Sequence, residues 1–262
     1  MPRRGGRPKS ARPSGDATRV ARKSLVESCS RLIRYLEKRD DILLLPTSTR
    51  YRKDSWDIPK TTQLAWRIRD HLAQRKKRVT LLDVPELTIH TCEGNVSGAR
   101  GNRCGLLAAK LPDPAKNPTG HHRCWASINN EDDQLYVVSR ELFRSRVVLF
   151  FVSVRWGQTN SVYQRLWERL TWMENRFTTL GEKPIPQLKG LEAGIVLFGQ
   201  NWNDAQILKI QRQNYSWFGW KTPAALSFYW QYTRDAEDES PESYLGAIEE
   251  FDALLATEFS GR

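Results

Sequence analysis

Long apolar runs are missing from this sequence. The longest, residues 147–154, lies between Arg146 and Arg155 and is far shorter than the roughly 20 residues that a membrane-spanning helix needs. No apolar stretch follows the basic N-terminus, so we expect no secretory signal. Four cysteines among 262 residues are too few for a disulfide scaffold, and we therefore expect a protein of the reducing cytoplasm.

Positive charge is unevenly distributed along the chain. The net charge is +11, and residues 1–40 carry twelve Lys or Arg against four acids. The body that follows is close to electrical balance. Basicity is therefore a property of the N-terminal arm, which weakens any interpretation of the body as a nucleic-acid-binding surface.

The chain divides into two parts. Residues 1–17 are rich in Arg, Gly, Pro and Ser and are expected to be a disordered arm, and a helix with a loose apolar stripe is expected over 18–38. That helix should pack on the body or on a second subunit. Residues 41–262 are predicted to form one domain, interrupted by a long excursion over 84–130.

Strand and helix patterns alternate from residue 41 onward. Strands are predicted over 42–45, 79–82, 147–153, 193–198 and 224–229. Helices are predicted over 59–77, 131–143, 159–176, 203–218 and 241–258, several with an apolar residue on every fourth position. Five continuous apolar strands alternating with helices predict an α/β fold, with a parallel sheet covered on both faces.

The loop after the first predicted strand contains no glycine. A dinucleotide fingerprint and a P-loop both need glycines, so both are excluded here. The loop carries hydroxyls and arginines before a helix start, among them Ser48, Arg50, Ser55, Thr61 and Thr62. This combination favours a single terminal phosphate, although Ser and Thr at a helix start are also ordinary capping residues.

Two further loops leave the same predicted sheet edge, where open α/β sheets bind ligands. The second contains Val154, Arg155, Trp156, Gly157 and Asn160, and the third contains Gly199, Gln200 and Asn201. Glycine and small polar groups let a planar ligand lie against the main chain. Trp156 is either a wall of that site or an ordinary core tryptophan. Together the three loops fit a phosphorylated flat heterocycle.

At this level the stretch from residue 42 to 255 resembles the flavodoxin-like NAD(P)H-dependent FMN reductases. The resemblance rests on the order of several short motifs. They are Ser48-x-Arg50 with Thr61 and Thr62, the cysteines at 92, 104 and 124 followed by Asp132-Asp133, the run 153–157 with Asn160-Ser161 and Glu168-Arg169, and Gly199-Gln200-Asn201. The sequence departs from the family at Ser153, where proline is usual, in its longer phosphate loop and in its stretched cysteine segment.

The resemblance implies a flavodoxin-like five-stranded parallel sheet and an FMN-dependent oxidoreductase. FMN would be held by its phosphate on the first loop and by its ring between the second and third loops, with NAD(P)H as co-substrate. No catalytic residue is implied. The electron acceptor would be a small quinone, azo, nitro or flavin-like molecule, or a pathway-specific metabolite. Relatives of this shape commonly pair, which implies a homodimer or homotetramer.

Cysteine and histidine gather in the excursion, at His90, Cys92, Cys104, His121, His122 and Cys124. A zinc site or an iron–sulfur cluster is chemically possible there, but the spacing is wrong for a standard zinc knuckle. We expect a substrate loop without metal, in which His121, His122 and Trp125 contact the acceptor. Long loops in compact domains are usually functional or disordered.

Two alternatives come from other functional classes. One is an FMN-binding electron carrier or redox-sensing module without a substrate of its own. The other is a nucleic-acid-associated protein that grips phosphates through the basic arm. The shaped excursion favours an enzyme over a carrier, and an arm on a body of balanced charge is more often a solvated tail.

Overall fold

The computed structural model describes residues 15–49, 58–94, 103–199, 202–233 and 240–259, with side chains from residue 25 onward. The helices are α1 (Gly15–Leu36), α2 (Lys60–Gln74), α3 (Trp125–Asn129), α4 (Leu135–Leu142), α5 (Ser161–Thr178), α6 (Asp204–Trp217) and α7 (Pro241–Phe259). The strands are β1 (Ile42–Pro46), β2 (Val79–Leu81), β3 (Val147–Arg155), β4 (Gln158–Thr159), β5 (Glu192–Gly199) and β6 (Phe228–Gln231).

The sheet has the order β2-β1-β3-β5-β6, with all five strands parallel. The short strand β4 turns back on the end of β3 as an antiparallel ribbon. The five-stranded order is that of the flavodoxin-like doubly wound fold, so the predicted fold is confirmed. The central strands are buried on both faces, as their continuous apolar runs predict.

Each face of the sheet is covered by its own set of helices. One core joins the sheet to α4, α5 and α6, and the other joins it to α1, α2 and α7. The N-terminal helix α1 packs on the body, where Leu25, Cys29, Leu32 and Leu36 are buried against this second core. The helix was expected to pack either on the body or on a second subunit, and in the described chain it packs on the body.

Two predicted elements differ from the structure. The helix predicted over 131–143 is shorter and is preceded by the separate turn of α3. The strand predicted over 224–229 begins only at Phe228, because Pro223 opens a short 3-10 turn over Ala224–Leu226. The backbone of Leu226 then lies against Gly194, where an added Cβ would meet the Leu226 carbonyl oxygen at 2.1 Å.

Candidate functional site

From β1 the chain first adds β2 on one side of the sheet and then crosses to add β3 on the other side. This change of side places a crevice between the carboxyl ends of β1 and β3. Thr47 and Ser48 follow β1 there, and Ser153 lies near the end of β3. Thr47 continues the strand pairing, since its N–H donates to the Phe151 carbonyl oxygen at 3.0 Å. The first and second loops of the sequence prediction therefore begin side by side.

Asn160 ties these two loops together. Its Nδ2 donates to Thr47 Oγ1 at 3.1 Å and lies 3.3 Å from Ser153 Oγ. Its Oδ1 accepts from the Tyr163 N–H at 3.0 Å and so caps α5. Asn160 is buried and both ends of its amide are engaged, so it holds the two loops in position, and contact with a cofactor stays a prediction.

The start of α2 brings together hydroxyl groups and the main-chain N–H groups of a first helical turn. Ser48 Oγ and Thr61 Oγ1 lie 2.7 Å apart in a buried pair. Thr62 Oγ1 is buried and has no hydrogen-bond partner. The first intrahelical bond runs from the Gln63 N–H to the Pro59 carbonyl, so the N–H groups before it are those that a helix leaves without an internal partner. No acidic side chain lies in this first turn.

An open pocket of about 600 Å³, counting the solvent at its mouth, lies beside this helix start. Its lining includes the hydroxyl residues Ser48, Thr61 and Ser153 and the aromatic residues Tyr232 and Tyr244. The two tyrosine rings lie 6.1 Å apart. The other described residues around it are Ile58, Pro59, Lys60, Arg155, Phe198 and Ala247. Within this described lining there are two cations and no acid, which favours an anionic ligand with a flat apolar part.

The second and third loops contact each other. Trp156 and Gly157 form the tip of the β3–β4 hairpin, both with positive φ (49° and 66°). A side chain on Gly157 would meet the Trp202 ring at 3.2 Å, and Asn203 Nδ2 donates to the Gly157 carbonyl at 2.8 Å. The open side of Gly157 is thus filled by the third loop. Trp156 is 88% exposed and meets Trp202 edge to face, so it is not a core tryptophan.

The residue that follows this contact in the chain, Asp204, is a buried acid that the sequence did not single out. Asp204 opens α6, is 0% exposed, and neither of its carboxyl oxygens has a hydrogen-bond partner. Burial raises the pKa of Asp204 to about 7. A side chain on Gly199 would meet Val154 Cβ at 2.6 Å and Asp204 Oδ1 at 3.3 Å, so only glycine fits at the end of β5. Val154 itself is buried on this side of the sheet.

The excursion over 84–130 is predicted from the sequence to form a substrate loop, and residues 95–102 of it lie outside the described residues. Its described part packs along the second half of α5, which leads away from the carboxyl edge of the sheet. Arg169 of α5, fully buried, binds both carboxyl oxygens of Asp133 at 2.7 and 3.0 Å and donates to the His90 carbonyl at 2.7 Å. Farther along α5, Asn175 binds the Cys104 carbonyl at 2.6 Å and Arg176 the His121 carbonyl at 3.3 Å.

Neither histidine predicted to contact substrate lies at the pocket. His122 is 1% exposed and bonds Ser139 Oγ at 2.9 Å and Ser127 Oγ at 3.0 Å. Burial lowers the pKa of His122 to about 3, so it is neutral. His121 packs edge-on against Phe143, just before β3 starts at the far edge of the sheet. Both histidines pack against α4 and α5, and contact of His121 or His122 with a substrate stays a prediction.

Of the remaining predicted residues, some lie in the described part of the chain and others lie outside it. Trp125 is half-buried in α3, and its Nε1 donates to the Arg103 carbonyl at 3.1 Å, so it braces the excursion. All four cysteines are free thiols. Among the described residues, no three His, Cys, Asp or Glu side chains come together as metal ligands would. Arg50, Ser55, Gln200 and Asn201 lie outside the described residues.

Comparison with solved structures bears on the fold. A crystal structure of RosB with a bound intermediate matches with a TM-score of 0.52 at 12% identity, covering 84% of this chain and 76% of that one. The two proteins share a fold. A quinone oxidoreductase from Methanothermobacter marburgensis (10% identity, 84% and 96% coverage) and an FMN-dependent NADH-azoreductase from Bacillus anthracis (10%, 84% and 99%) both match with TM-scores of 0.47, too low to support an argument.

Sequence comparison adds nothing to this result, since no protein-family model and no curated protein matches the chain. Within its described part, no helix combines the length and the apolar character needed to cross a membrane.

Proposed function

We propose that this protein is an FMN-dependent oxidoreductase that passes electrons from NAD(P)H to a small-molecule acceptor. The observation that carries the proposal is the start of α2, where a buried Thr62 hydroxyl without a partner adjoins the Ser48–Thr61 hydroxyl pair. A helix N-terminus with hydroxyl donors and no acid suits a terminal phosphate. The RosB structure, which has the same fold, holds a riboflavin-5'-phosphate derivative.

The remaining parts of the site suit the rest of a flavin nucleotide. Tyr232 and Tyr244, whose rings are tilted by 45° to each other, offer aromatic contacts for a flavin ring, and Lys60 and Arg155 add positive charge. The clasped second and third loops, with Trp156, Gly157 and Gly199, lie at the same edge of the sheet and would border the ring. When bound, the flavin supplies the hydride chemistry, and the chain binds it, orients it and limits its contact with water.

Several finer points extend the proposal. We place Arg50 and Ser55 on the phosphate and Gln200 and Asn201 beside the ring, as the sequence motifs imply. NADH and NADPH are both admissible donors. Assembly as a homodimer or homotetramer and a cytoplasmic location complete the proposal, with no role assigned to a metal or to nucleic acid.

Binding of FMN and of riboflavin tests the proposal directly, because riboflavin differs only in lacking the phosphate. We expect purified protein to bind FMN with quenching of flavin fluorescence, and to bind riboflavin at least about tenfold more weakly, since a hydrogen bond to a charged group is worth roughly 1.5–3 kcal/mol. Arg50→Ala should lose much of this preference. Equal affinity for FMN and riboflavin would contradict a phosphate site at the start of α2.

Catalysis needs a second measurement. With FMN bound, NADH or NADPH should be oxidised continuously when a quinone, azo dye or nitro compound is added under anaerobic conditions. Flavin binding without such turnover would instead favour an electron carrier or redox sensor. Failure to bind FMN at all would overturn the proposed function.

A further inference from the structure

Asp204 is a buried carboxyl group that the proposed electron transfer does not use. It opens α6, five residues after β5 ends at Gly199, and its side chain is completely buried. Neither Oδ1 nor Oδ2 has a hydrogen-bond partner. Buried polar groups are nearly always paired, so an unpaired carboxyl calls for a physical explanation.

Among the described residues, none pairs its charge with Asp204. Asp204 Oδ1 lies close to the Gly199 backbone, beside which Val154 of β3 packs, and strand β4, which contains Thr159, contacts α6. The Thr159 hydroxyl oxygen is also buried without a partner. No ionisable group on these elements contributes to the raised pKa of Asp204, whose cause is burial alone. A helix start favours an anion, but neither Asp204 oxygen bonds a first-turn N–H.

The two residues just before Asp204 form a clasp with Gly157 of the second loop. Asn203, in a left-handed conformation with φ 64°, reaches across to the Gly157 carbonyl, and Trp202 covers Gly157. Asn203 of the clasp and Asp204 are adjacent residues of one turn, so a movement of Asp204 also moves Asn203. A negative charge cannot remain in this dry site without a donor or water.

We propose that Asp204 is a positioning residue: its neutral carboxyl lets Trp202 and Asn203 close on Gly157, and its ionisation separates them and weakens the hold on the flavin ring. The effect on flavin rests on the proposed function. The closing and separation of the loops do not, since they concern this chain alone.

Fluorine NMR of the flavin-free protein tests the loop movement. Protein labelled with 5-fluorotryptophan gives a signal for Trp202 that is assigned by its loss in Trp202→Phe. We expect this signal to shift in a single titration near neutral pH. Asp204→Asn, which mimics the neutral acid in shape, should abolish that titration. Asp252→Asn, which removes an exposed acid of α7, should leave it unchanged.

Flavin affinity tests the consequence. FMN should bind at least about fivefold more weakly at pH 8.5 than at pH 6, a usual size for coupling between sites, and Asp204→Asn should bind equally at both. A Trp202 signal that does not titrate, or that still titrates in Asp204→Asn, would overturn the role of Asp204. An affinity independent of pH would overturn its link to the flavin. Absence of FMN binding at every pH would refute the proposed function, while the fluorine titration would still decide the role of Asp204.

Discussion

Ser48 and Thr61 place their side-chain oxygens 2.7 Å apart, although thirteen positions separate them in the sequence. The pair joins the end of β1 to the first turn of α2, so the hydroxyls of the first loop are held before any ligand arrives. Thr62, next along the helix, is buried beside them with no partner for its own hydroxyl. This arrangement makes the start of α2 the most testable part of the site.

Replacing Thr62 with valine should weaken FMN binding without lowering the stability of the flavin-free protein. Valine keeps the shape and removes a buried hydroxyl that has no partner, so the flavin-free protein should be equally stable or slightly more stable in thermal unfolding. FMN affinity should fall by about tenfold or more, the value of one hydrogen bond to a charged group. As a control, Thr178→Val alters an exposed threonine whose hydroxyl bonds the Glu174 carbonyl. Unchanged FMN affinity in Thr62→Val would contradict a phosphate at this helix start.

Asp133→Asn should be strongly destabilising. The substitution leaves the buried Arg169 guanidinium without its counter-charge, which typically costs about 3–5 kcal/mol. Urea unfolding followed by circular dichroism measures the loss. The matched control is Asp132→Asn, since Asp132 is largely exposed and pairs with the partly exposed His90. If both variants unfolded at similar urea concentrations, Arg169 and Asp133 would not hold the excursion to α5.

Acid should destabilise the protein through His122. Burial lowers the pKa of His122 to about 3, whereas an unfolded histidine titrates near 6.5. The unfolded state therefore binds more protons below pH 6.5, and this contribution to stability, complete above that pH, is lost as the pH falls toward 3. In His122→Asn, which cannot ionise, the free energy of unfolding should fall less between pH 6.5 and 4 than in the unaltered protein. The same change at His121 serves as the comparison.

Acceptor preference should depend on the tyrosine wall and not on the excursion. Tyr244 lines the pocket beside Tyr232, whereas His121 packs on Phe143 at the opposite edge of the sheet. Tyr244→Ala should therefore change the kcat/KM ratio between a quinone and an azo dye, and His121→Ala should not. A changed ratio in His121→Ala alone would restore the excursion as the acceptor site.

Removal of residues 1–14 should leave folding and flavin binding intact. Leu25, Cys29, Leu32 and Leu36 of α1 pack on the body, and all of them lie well beyond the deletion. Circular dichroism and FMN titration check this expectation. Binding of nucleic acid that disappears with the deletion and weakens steeply with salt would support the alternative function of the basic arm.

Local pattern was enough to predict most elements of the fold. The buried strands are continuous runs such as residues 147–154, and the helices repeat apolar residues at helical spacing, both of which depend only on neighbours along the chain. The glycine-free hydroxyl loop after β1 predicts a phosphate at Ser48, Thr61 and Thr62, and the structure brings Ser48 and Thr61 together. The start of β6 was misjudged, because Pro223 and the contact of Leu226 with Gly194 override local strand preference.

What only the tertiary structure decided is which distant groups meet. Arg169 and Asp133 lie 36 positions apart, and nothing in either segment indicates that together they draw the excursion along α5 and away from the pocket. Tyr232 and Tyr244 join the site because β6 is the last strand of the sheet and α7 returns beside α2. Asp204 looks like an ordinary acid at a helix start, and only the packing of Gly199 and Val154 around it removes its water. Burial and long-range pairing depend on which strands and helices become neighbours in the folded chain. They therefore follow from the strand order rather than from any local run of residues.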